Sequence, residues 1–91
     1  MDRAERPAEI ERRLRAAFEP ESLHVEDESH LHAGHAGAAT GLGHFRVSIV
    51  AEAFEGMNPI QRHRAVYEAM GELMHTDIHA LSIEALASSE L

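Results

Sequence analysis

The sequence predicts an α+β domain whose elements run helix, strand, strand, helix, strand, with two helices on one face of a three-stranded mixed sheet. Apolar residues recur at helical spacing in 7–18 and 59–75 and alternate at period two in 22–27, 44–51 and 78–85. Proline or glycine punctuates the segments between them. At 91 residues the chain has the length of one domain, with a core expected over about 7–86.

The first helix is expected from Pro7 to Phe18, where Ile10, Leu14, Ala17 and Phe18 form the apolar stripe. Glu9/Arg13 and Glu11/Arg15 stand four residues apart on the remaining surface, Pro7 suits a first helical turn, and Pro20 marks a stop. In Ser22 to Asp27, Leu23 and Val25 alternate with His24 and Glu26, as in a half-buried strand. Residues 29–43 hold four glycines and three histidines without an apolar period, which reads as a long flexible loop; loops of that length in small domains are generally functional or mobile. Alternation returns from His44 to Ala51, with Phe45, Val47 and Ile49 on one face. Asn58-Pro59 followed by Gln61 is a capping sequence for a second helix, expected to reach His75 with Gly71 costing about 1 kcal/mol relative to alanine. A third strand follows from Ile78 to Ala85. A helix of that length carries the chain back along the sheet, so the third strand should lie parallel to the second by a right-handed crossover.

Composition narrows the function. There is no cysteine, so neither a disulfide nor a thiolate-only metal site can be built from this chain, and any sulfur ligand must come from elsewhere. Sixteen acidic residues against eight basic ones, all arginine, give a formal charge of -8, which disfavours nucleic acid at long range. MDRAERPAEI has no signal-peptide core and no later stretch approaches a membrane span, so a cytoplasmic protein without membrane contact is expected. Asp27 and Glu28 are adjacent carboxylates that would point to opposite faces of a strand, and no Ser/His/Asp or Cys/His nucleophile arrangement is indicated. The chain is not expected to be an enzyme.

Eight histidines in 91 residues are the compositional oddity, and His30, His32, His35 and His44 fall within fifteen positions. The second strand starts where the His-rich loop ends and the third starts near His79, both at one end of the sheet. Topology therefore brings His79 within reach of the loop histidines and of His44. Neutral imidazole is the commonest ligand for transition metals, and a Gly-rich loop can adapt to a metal's geometry. Two plainer readings stand beside this one. His79 shares strand parity with Leu81 and Ile83 and could be a rim histidine bonded to backbone, and the loop could be an exposed polar segment whose spacings match no strong zinc signature. A mononuclear zinc or copper site in the loop is a further alternative. Arg62-His63-Arg64, with Arg46, could meet a phosphate or an acidic partner, or could be a solvated helix face.

The segments VEDES before the loop, HFRVSIV after it, AFEGMNPIQRHRAVYEAM and IHALSI resemble the BolA family over about residues 7–86. The resemblance implies a BolA-like, class II KH-like fold and partnership with a monothiol glutaredoxin through a shared 2Fe-2S cluster, with glutathione as a further ligand. It implies that His79, in the HAL segment, is one ligand and that a loop residue is the other. Alignment of DESHLHA puts the loop ligand at His32, with His35 in reserve. Arg46, Arg62, His63 and Arg64 are the candidate contacts for the partner or for nucleic acid. The implied role is iron-sulfur cluster trafficking or iron sensing, with the free chain a monomer or weak dimer. The alternative is a DNA-binding transcriptional regulator, since some family members are described as such. Against it, a KH clamp uses GxxG, whereas Gly56-Met57-Asn58-Pro59 ends in proline.

Overall fold

A computed structural model describes residues 1–32 and 41–91. The expected order is present, with one extra short helix: α1 (Arg6–Phe18), β1 (Ser22–Asp27), β2 (Gly43–Val50), α2 (Pro59–Met70), α3 (Leu73–Thr76) and β3 (Ile78–Leu86). The part of the predicted loop that covers 33–40 lies outside the described residues; a short 3-10 turn, Ser29–His32, follows β1.

β2 is the central strand, antiparallel to β1 and parallel to β3. Parallel register sets Phe45 beside Leu81, Val47 beside Ile83 and Ile49 beside Ala85, so these pairs share one face. Phe45, Val47 and Ile49 are almost fully buried and pack with Ile10 and Leu14 of α1, Val66 and Met70 of α2, and Phe54. Within each helix those positions stand four residues apart, which is a spacing that keeps one stripe on the sheet.

α1 carries the expected ion pairs, Arg13 Nε to Glu9 at 2.8 Å and Arg15 Nη2 to Glu11 at 2.9 Å. α2 begins with a full capping box: Asn58 accepts from the Gln61 amide, and the Gln61 side chain accepts from the Asn58 amide, each at 2.9 Å. The second helix does not run unbroken to His75. It ends at Met70, Gly71 turns the chain at φ 53° and ψ -127°, and α3 restarts at Leu73. Arg13 of α1 donates to the Met70 carbonyl at 2.7 Å, satisfying an acceptor that a continuing helix would have used. The break lets Leu73 and Ile78 join the core.

Candidate metal-ligand corner

The sheet has one irregularity, and it falls at a histidine. Gly43 is opposite Ile78, but the next residue of β2, His44, is opposite Ala80. One extra residue, His79, is therefore fitted into β3, as in a β-bulge. Strict alternation would put His79 on the same face as Leu81 and Ile83. Ile78 takes that inward place instead, at 1% exposure, and His79 is turned to solvent.

His44 lies beside it. The two imidazole rings stand 5.1 Å apart between centroids and tilted by 50°, with His44 only 9% exposed behind the exposed His79. The His44 amide donates to the Ser29 hydroxyl at 3.1 Å, and the Ser29 amide donates to Asp27 at 2.9 Å, so the turn leading to His32 is fastened to the start of β2. His30, in that turn, is exposed and shares with His44 the rim of a cleft of about 300 Å³. His32 is the last residue of the turn; His35 lies outside the described residues. Among the described residues no three His, Asp or Glu side chains converge as a self-sufficient metal site. What the corner offers by itself is an exposed imidazole backed by a buried one.

A second group of side chains at this corner was not legible in the sequence. Asp77, two residues before His79, accepts from Arg6 Nε at 2.8 Å and from the Thr76 hydroxyl at 2.6 Å. Those two donors, the hydroxyl first and the guanidinium second, hold the Asp77 carboxyl below its ordinary range. Arg6 and Asp77 are 71 residues apart, so no local pattern could announce the pair.

The basic candidates are placed differently from one another. Arg62 is turned inward at 11% side-chain exposure and donates to the Met57 and Ala85 carbonyls and to Glu90. Arg46 is exposed and paired with Glu28 at 3.1 Å. His63 and Arg64 are exposed on α2, and Arg64 makes no ion pair among the described residues.

Residues 14–90 match the family described as BolA-like protein. This chain is a member of the BolA-like family. It is 43% identical over 88 residues to the chloroplastic protein BOLA1 of Arabidopsis thaliana, and 47% identical over 78 residues to the BolA-like protein 1 of Mus musculus, covering 93% and 86% of itself. It spans 55% of the length of each of these relatives. Among solved structures, BolA1 from Arabidopsis thaliana superposes with a TM-score of 0.80 at 42% identity, covering 93% of this chain and 94% of that one. The BolA domain of SufE1 from the same plant gives a TM-score of 0.84 at 36% identity, covering 94% and 95%. The α+β fold is therefore that of the BolA-like proteins. Among the described residues no helix is long and apolar enough to cross a membrane.

Proposed function

We propose that this BolA-like chain is an accessory protein that lends imidazole ligands to a 2Fe-2S cluster shared with a monothiol glutaredoxin and its glutathione, in cluster trafficking or iron sensing. The observation that carries this is the bulge at His79, which presents an imidazole to solvent where the Ser29–His32 turn and β2 meet. The donor set suits such a group. The chain has no cysteine, so its share of a cluster would be nitrogen, and the sulfur ligands would come from the partner.

In this reading His79 is the first ligand. His32, with His35 in reserve, supplies the second, as the family resemblance implies, and His44 backs the His79 ring from beneath. Neutral imidazoles in place of thiolates raise a cluster's reduction potential and make its ligation sensitive to acid, because protonated histidine does not coordinate. Such ligation suits sensing or handing on. Of the candidate contacts, His63 and Arg64 are exposed, Arg46 is exposed but paired with Glu28, and Arg62 acts chiefly within the fold.

The test is to mix the chain with a monothiol glutaredoxin, iron, sulfide and glutathione and to record visible spectra with and without it. A spectrum distinct from that of the glutaredoxin alone, lost in His79→Ala, is expected. An unchanged spectrum, or a His79→Ala variant that matches the natural sequence, would reject the proposal. Salt-dependent duplex DNA binding at physiological ionic strength, abolished by Arg64→Ala, would instead favour the regulator.

A further inference from the structure

A junction between residues 71 positions apart lies next to the two imidazoles in the chain. Arg6, the first residue of α1, donates from Nε to Asp77 at 2.8 Å and from Nη1 to the Gly41 carbonyl at 3.0 Å. Both side chains of the ion pair are 11% exposed. Asp77 is gripped from other directions as well. Its second carboxylate oxygen accepts from the Thr76 hydroxyl at 2.6 Å, its carbonyl accepts from the Gly43 amide at 2.8 Å, and its amide donates to Leu73 at 3.0 Å.

The position of these contacts matters more than their number. Gly43 immediately precedes His44, Asp77 stands two residues before His79, and the bulge lies between the Gly43–Ile78 and His44–Ala80 pairs. The junction thus clamps the backbone entering both histidines at the one place where the ladder is irregular. A partly buried ion pair is a costly way to staple a sheet end, since desolvation offsets much of its attraction. Its forked geometry does, however, fix direction: a guanidinium that bonds a carboxylate and a carbonyl at once leaves little rotational freedom to either.

We infer that Arg6 and Asp77 are positioning residues for the His44–His79 pair, setting the direction in which His79 presents its ring to iron. The inference deepens the proposed function and rests on it for its consequence, but not for its geometry. Loosening either residue should let the bulge relax and separate the rings.

Two measurements on Arg6→Lys, Arg6→Met, Asp77→Asn and Thr76→Val test this. In the isolated chain, NMR reads the ring-to-ring nuclear Overhauser contact between His44 and His79. It should be lost in Arg6→Met and Asp77→Asn and weakened in Arg6→Lys, which keeps the charge without the fork. Thr76→Val removes a hydroxyl placed against Asp77 and the Glu72 carbonyl but no charge, so it should fold even where the others do not, and it should displace the His79 ring resonances. In the mixture with glutaredoxin, iron, sulfide and glutathione, Arg6→Lys and Asp77→Asn should change the g-values of the reduced cluster and lose its absorbance about tenfold faster, the lower range for disturbing the outer partners of metal ligands. A pair that only stapled the fold would lower the melting temperature and leave ring contact and g-values alone; folded variants behaving so would overturn the inference. If the natural sequence forms no shared cluster, the proposed function fails, while the isolated-chain NMR still decides whether the junction orients the rings.

Discussion

Gly43 shows how tightly the corner is drawn. A Cβ built there would sit 2.5 Å and 2.7 Å from two ring carbons of Phe45 and 3.0 Å from the Ser29 hydroxyl. Phe45 is 2% exposed and has nowhere to retreat. Gly43→Ala is therefore expected to destabilise the chain by about 1–3 kcal/mol, as overpacking does, read from the midpoint of a urea titration. Only part of this was legible in the sequence. The His-rich composition and the arrival of His79 at the loop end of the sheet followed from topology. The outward turn of His79 did not, because alternation of apolar residues within β3 does not report a shift in its register against β2. Arg62 was hidden for a related reason: RHR reads as a basic cluster, and only the packed fold brings the Ala85 carbonyl and Glu90 to its guanidinium.

At the scale of elements, local chemistry decided what could be read. β1 occupies the residues that alternation predicts, and α2 starts where Asn58-Pro59 and Gln61 predict, because a capping box is complete within four residues. Asn58→Ala should cost about 1 kcal/mol, measured as a drop in unfolding free energy. α2 stops at Met70, short of the expected His75, although Met74 and His75 continue an acceptable helical pattern beyond Gly71. The break depends on Arg13 reaching across from α1 to the Met70 carbonyl and on a backbone conformation open to glycine. This reverses the expected sign of a substitution. Helix propensity alone would make Gly71→Ala stabilising, whereas at φ 53° it should destabilise by about 1 kcal/mol or more, which thermal unfolding would detect.

Over the whole molecule, six of the eight arginines are ion-paired among the described residues: Arg12, Arg13 and Arg15 within α1, and Arg6, Arg46 and Arg62 between distant segments of an acidic chain. Their partners set an acid limit. Hydrogen bonds from Arg12 and then Arg13 lower the Glu9 carboxyl from 4.5 to about 2, and Glu90 is lowered by Arg62 and by the Ala87 amide. Below the ordinary carboxylate range the unfolded chain binds protons that the folded chain refuses. The Glu9 contribution is thus complete above about pH 4.5 and is lost as pH falls toward 2. Urea midpoints followed down that range should fall, and Glu9→Gln should flatten part of the slope. The long reach of Arg6 to Asp77 also orders events in time. The His44–His79 ring pair exists only once β3 lies beside β2, so a nascent chain still short of that strand lacks this corner and, under the proposed function, has no paired imidazoles to offer a partner's cluster.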